Sequence, residues 1–108
     1  MLLPTIDLAI PRNTSQLAPV ETRILSTLPI VGRVTIRFPK RAGLAAIRLI
    51  DRGFQFAPLG SGWIRADQVE VSFFAGRRLE GPPYEITIQG YNTDDTFSHT
   101  CQLRIEAE

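Results

Sequence analysis

The sequence predicts an all-β fold, a single antiparallel β-sandwich of jelly-roll-like or Ig-like type, behind an extended N-terminal arm. Three observations carry this. Apolar residues recur with a period of two almost everywhere, clusters of turn-forming residues separate the alternating runs, and no window sustains a helical period beyond two turns. With 108 residues the chain has room for one domain and one modest core.

The alternating runs are explicit. Val34, Ile36 and Phe38 alternate with Arg33, Thr35 and Arg37; Val69, Val71 and Phe73 alternate with Gln68, Glu70 and Ser72. Tyr84, Ile86 and Ile88 interleave with Glu85, Thr87 and Gln89, and Cys101, Leu103 and Ile105 with Thr100, Gln102, Arg104 and Glu106. Each run reads as a strand with one buried face. Turns are expected at Pro39 to Gly43, Asp51-Arg52-Gly53, Pro58 to Gly62, Ala75-Gly76, Gly81-Pro82-Pro83 and Asn92 to Asp95. Six or seven short strands between such turns fit a sandwich.

The last two runs are expected to form a hairpin. Their inward faces have opposite number parity, and a slip of one residue would turn a strand inside out. Setting Tyr91 opposite Thr96 leaves a four-residue loop, Asn92 to Asp95. Ile88 then faces His99, Ile86 faces Cys101, Tyr84 faces Leu103, and Thr87 meets Thr100 on the outer face.

Residues 1–20 read as the arm and 21–108 as the sandwich. Ile6, Leu8 and Ile10 alternate with Asp7 and Ala9 as in an extended strand, and Pro11, Asn13-Thr14-Ser15 and Pro19 separate it from the body. Fully extended, its first eighteen residues would reach up to ~60 Å. Such a segment docks either on its own sheet or, the reading favoured by its apolar anchors Ile6, Leu8 and Ile10, on the sheet edge of a neighbour.

Composition excludes several classes. A formal net charge of +1 supplies no basic field to gather nucleic acid or anionic membrane. One cysteine, Cys101, forms no internal disulfide, and no apolar run approaches a membrane span. Met1 to Pro4 lacks the basic flank of a signal peptide, so a soluble protein made in the cytoplasm is expected.

No catalytic constellation stands out. His99 is the only histidine, two residues before Cys101, and the stretch Tyr91 to Thr100 is similar to a cupredoxin loop. Copper would require a second histidine and a late methionine, and the only methionine is Met1. A half-buried, hydrogen-bonded histidine is the expectation, with no cofactor. Asn92, Asp94 and Asp95 are too few for calcium unaided and are ordinary loop residues. The serine nearest to His99 points to the opposite face, and Asp51, Asp67, Glu70 and Glu80 have no spacing that suggests paired carboxylates. The chain is expected not to be an enzyme. Lys40, Arg41, Arg77 and Arg78 fall in expected turns and would make a basic rim if their loops share one end. Trp63, in Gly60-Ser61-Gly62-Trp63-Ile64, is either a plug at the end of the core or a ligand or interface anchor.

The run of elements from Pro19 to Ile105 resembles small β-sandwich proteins of phage and prophage-like gene sets. It includes Gln55-Phe56-Ala57-Pro58, Pro83-Tyr84, and Tyr91-Asn92-Thr93-Asp94-Asp95 with His99-Thr100. In style it is similar to capsid-decoration and accessory virion proteins. The resemblance implies a non-enzymatic subunit located in the virion, assembling through its arm and sheet edges. Its implied partners are copies of itself and a major capsid or other virion protein, with neither membrane nor sequence-specific nucleic acid. The alternative function is a carbohydrate- or receptor-binding module using Trp63 and the Asp94-Asp95 loop.

Overall fold

The computed structural model describes residues 1–39, 43–65 and 70–108. Its described residues form nine strands and no helix. They are β1 (Ile6–Ile10), β2 (Val20–Ser26), β3 (Ile30–Arg37), β4 (Ala45–Asp51), β5 (Phe54–Ala57), β6 (Ile64–Arg65), β7 (Glu70–Arg78), β8 (Tyr84–Asn92) and β9 (His99–Ala107). Two antiparallel sheets pack face to face as a β-sandwich. One runs β1-β9-β3-β7; the other runs β2-β8-β4-β5, with β6 also on β4.

The alternating residues supply the core. Ile10, Val34, Ile36, Leu103 and Ile105 from the first sheet meet Ile47, Leu49, Ile86 and Ile88 from the second, all fully buried. Each such side chain contributes about 1.5–3 kcal/mol relative to exposure, so the interior between the sheets dominates stability.

The expected terminal hairpin does not form. β8 pairs with β2 and β4, whereas β9 pairs with β1 and β3, so the two strands lie in different sheets. None of the expected partners, Tyr91 with Thr96, Ile88 with His99, Ile86 with Cys101, Tyr84 with Leu103 or Thr87 with Thr100, is a ladder pair. Within the strands the inward faces were read correctly, since Ile86, Ile88, Cys101, Leu103 and Ile105 are all buried, but Phe97, of the same parity as the last three, precedes β9 and is 62% exposed. Opposite parity is equally compatible with two strands in facing sheets, because both send apolar residues to the same core.

The connection is an arch. Asn92, fully buried, donates from Nδ2 to the carbonyls of Phe97 (2.9 Å) and Ile10 (3.3 Å), and its Oδ1 accepts from the Asp94 amide at 3.0 Å. The Asp94 carboxylate accepts from the amides of Thr96 (2.8 Å) and Phe97 (3.1 Å) and lies 3.0 Å from His99 Nε2. A loop whose polar groups are satisfied this way stands between sheets without a ladder.

Of the two docking sites open to the N-terminal segment, this chain's own sheet is the one occupied. Ile6 to Ile10 pair with Leu103 to His99. Ahead of them Met1 and Ala107 exchange hydrogen bonds at 2.7 Å, and the Leu3 amide donates to the Ile105 carbonyl at 2.9 Å. Gly90 makes room for this strand: a Cβ there would lie 2.7 Å from Ile10 Cδ1 and 3.1 Å from Leu8 Cδ2. Residues 11–19 then cross to β2, pinned by reciprocal bonds between Thr14 and Asn92 at 2.8 and 2.9 Å.

Of two expected turns, one forms and the other does not. Asp51-Arg52-Gly53 is a tight hairpin, with Arg52 (φ 46) and Gly53 (φ 84) both left-handed. Ala75-Gly76 is not a turn: β7 runs through to Arg78, and these two residues oppose the single residue Gly32 as a bulge, with Gly76 at φ 61.

Candidate interaction surface

A sandwich has two open sides, and here they differ. On one side β1 and β2 are the edges. Pro4 there has no amide to offer, Asp7 is exposed, and Arg23 lies 3.8 Å from both Glu21 and Glu85 on the outer face. Charge and proline are the usual guards of a sheet edge. On the other side the edges are β7 and the short β5 and β6.

β7 is the longest edge strand, nine residues, and none of its side chains is fully buried. Val71, Phe73 and Ala75 point toward the core, partly covered, while Glu70, Ser72, Phe74, Gly76 and Arg78 face out. Phe74 is 66% exposed, and its ring lies over Gly76, where a Cβ would meet it at 3.1 Å. Across a groove of about 330 Å³ lie Phe56, Leu59 and Ile64, with Leu59 78% exposed. Phe54, also exposed, stands on the same side, under the Arg77 guanidinium at 4.6 Å. Apolar surface gathered beside an unpaired strand is the arrangement that a protein partner covers.

Among the described residues β7 has a free edge, and this follows from the ladder. Hydrogen bonds of Leu3 and Met1 to Ile105 and Ala107 direct the odd residues of β9 toward the N-terminal segment. Gln102 and Arg104 therefore face β3 and engage their partners Arg37 and Thr35. That leaves Val34 and Ile36 to bond Phe73 and Val71 in β7. The backbone groups of Glu70, Ser72 and Phe74 accordingly point outward. At the other end the Leu79 amide donates to Pro29 at 2.7 Å, which turns Arg78 outward too.

A buried carboxylate anchors this side. Asp51, fully buried at the end of β4, accepts at Oδ2 from Arg77 Nε (3.2 Å), Arg77 Nη2 (3.1 Å) and the Glu80 amide (3.0 Å). Its Oδ1 has no partner among the described residues. Arg52 donates from Nη2 to the Pro83 carbonyl at 2.8 Å and from Nε to that of Glu80 at 3.2 Å. Arg77 thus ties the edge of one sheet to the end of the other.

The residues singled out from sequence distribute as follows. Leu8 and Ile10 are buried in this chain's core and Ile6 is partly covered, so the three are strand residues of the first sheet. Arg77 and Arg78 lie in β7 and not in a turn; only Arg78 is exposed, while Arg77 is held by Asp51. The basic rim expected of them is therefore not formed by Arg77. Lys40 and Arg41, like Asp67, lie outside the described residues.

Trp63 is half-buried on the outer face of the second sheet, away from the sandwich interior. Arg48 stacks on its ring at 4.2 Å, and Tyr91 meets it edge-on at 4.7 Å between centroids. Arg48 is fixed in turn by Gln89 at 2.8 Å, and Arg65 donates to the Tyr91 hydroxyl. The stacked face is thereby occupied by the chain itself.

His99 is buried, and among the described residues its only side-chain partner is Asp94. The amides of Thr96 and Phe97, together with His99, hold the Asp94 carboxyl below its ordinary range. Both its oxygens are engaged within the arch, and Asp95 Oδ1 accepts from the Thr96 hydroxyl at 3.0 Å. Among the described residues no three His, Cys, Asp or Glu side chains converge on a metal position. Burial pushes the Cys101 thiol up to about 12, which marks it as a core residue.

The sequence reading missed Phe54, Leu59 and Phe74. A signal existed for one: Phe73-Phe74 breaks the alternation and sends an aromatic ring to each face. No family model matches the chain, and no curated protein matches it.

Proposed function

We propose that this chain is a non-enzymatic structural subunit that works by association with other proteins through its β7 side. The observation that carries this is the apolar groove between Phe74 and Leu59 beside an open nine-residue strand edge. The finer reading, a capsid-decoration or accessory virion subunit contacting copies of itself and a capsid protein, rests on the resemblance drawn from the sequence. Leu8 and Ile10 lie in the core of their own chain, so the contact surface moves from the arm to β7.

The test is incorporation. Quantitative mass spectrometry of purified particles from the source should find the chain in fixed stoichiometry with a shell protein. Phe74→Lys with Leu59→Lys should keep the melting temperature within a few degrees and abolish incorporation. A chain absent from particles would refute the virion reading, and unaltered incorporation of the double variant would refute the surface.

The glycan reading has less support. Trp63 is stacked under Arg48, and Asp94 is turned to its own arch.

A further inference from the structure

The partner of β7 is legible in β7 itself. Its outward residues, Glu70, Ser72, Phe74, Gly76 and Arg78, are complementary in charge about Phe74, acidic at one end and basic at the other. Two such strands, run antiparallel, overlap over all nine residues in only one register, the one centred on Phe74.

In that register Glu70 of each copy stands opposite Arg78 of the other, Ser72 opposite Gly76, and Phe74 opposite Phe74. On the inner face Phe73 meets Ala75, and the two apolar grooves with Leu59 approach each other. Glu70, Ser72, Phe74 and Arg78 are among the residues whose amides and carbonyls point outward, so this register supplies their missing ladder bonds. Shifting either way leaves Glu70 and Arg78 without each other.

We propose that β7 pairs antiparallel with β7 of a second copy, about a two-fold axis at Phe74, making one continuous eight-stranded sheet from the two first sheets. The inference rests on the association reading above and names its partner. Such an interface is isologous and closed, so it stops at a dimer. Opposite charges facing across strands fix the register, and like charges there oppose pairing.

The experiment is sedimentation velocity on the full chain over a hundredfold concentration range. The wild type should form dimers. Glu70→Arg places two arginines opposite each other at both ends, and Arg78→Glu places two glutamates, so each single variant should dimerise at least tenfold more weakly. The double variant should return to wild-type dimerisation, and mixing the two single variants should give a heterodimer. Glu70 also lies 3.7 Å from Arg37 of its own chain, a contact the double variant does not restore, so recovery reports on the second copy alone. All four residues of the two pairs are exposed, and a matching circular dichroism melt checks each variant's fold.

A wild type that stays monomeric would overturn the proposal, as would single variants that dimerise normally or a mixture that fails to pair. Failure here with retained particle incorporation leaves the association reading standing. Dimerisation without incorporation leaves the β7 pairing standing and refutes the virion reading.

Discussion

Replacing Ile10 by alanine measures directly whose sheet the N-terminal strand belongs to. Ile10 is 0% exposed and sits over Gly90, which has no side chain to move into the space left behind. Removing three carbons costs about 2.4 kcal/mol at ~0.8 kcal/mol for each. The unfilled cavity raises this to roughly 3–4 kcal/mol, within the range of large-to-small core substitutions. For a chain of 108 residues, unfolding entropy of about 2.1 cal/mol/K per residue converts that to a fall in melting temperature of about 15 °C. Urea and thermal unfolding should be followed at two protein concentrations a hundredfold apart, in the Arg78→Glu background to remove association through β7. With the strand on its own sheet, the loss is full and the midpoint independent of concentration. A loss below about 1 kcal/mol would place Ile10 outside the core. A midpoint that rises with concentration would show that another chain supplies the strand.

Three further outcomes follow from the same geometry. Asp51→Ala strips Arg77 of its carboxylate and leaves the Glu80 amide unpaired, so stability should fall by roughly 2–3 kcal/mol in urea titration, less than for a fully buried pair because Arg77 is partly exposed. Cys101, opposite Leu8, should resist alkylation in the native state; if labelling proceeds through opening of the β1 edge or global unfolding, Ile10→Ala should accelerate it on the order of 100-fold. The Asp94 carboxyl, held below its ordinary value in the fold, gives stability that is present above the unfolded-state pKa and lost as pH falls through the folded one. Asp94→Asn should therefore flatten the acid limb of a stability–pH curve below about pH 4. An unchanged acid limb would show that the arch does not depend on this charge.

Much of the fold was legible because burial faces follow from alternation alone. Ile86, Ile88, Cys101, Leu103 and Ile105 were placed inward from number parity, and all are buried. What parity does not encode is whether two strands lie side by side or across the core, since both arrangements send the same residues inward. The deciding interactions are long-range. β9 takes β1 and β3 as neighbours, and Asn92 bonds both Ile10, far off in sequence, and Phe97. The Ala75-Gly76 pair was misread for a related reason: glycine with a left-handed backbone serves a turn and a bulge alike, and only the opposing Gly32 distinguishes them. The candidate surface was hardest to read. Leu59 and Phe54 sit next to turns, where an apolar residue has no periodic partner to betray its exposure.

The contrast between the two sides of the sandwich is itself an argument about function. Natural sheets protect their edges, and this chain does so at β1 and β2 with Pro4, Asp7, Glu21 and Arg23. At β7 the same sequence places Phe74 in solvent, keeps the strand nine residues long, and sets Leu59 beside it. An aromatic ring held outward over a glycine gains little for the isolated fold, since a polar residue there would leave the core untouched. That edge carries a bulge at Gly76 and a charge at each end, Glu70 and Arg78, and the bulge adds twist without removing the outward groups of Glu70, Ser72 and Phe74. Replacing Phe74 with threonine, a strand former of smaller apolar surface, separates the two roles. Folding stability should change by less than about 1 kcal/mol, as for an exposed position, while dimerisation weakens at least tenfold. If Phe74→Thr destabilised the monomer strongly and left dimerisation intact, the ring would belong to the fold and not to a contact.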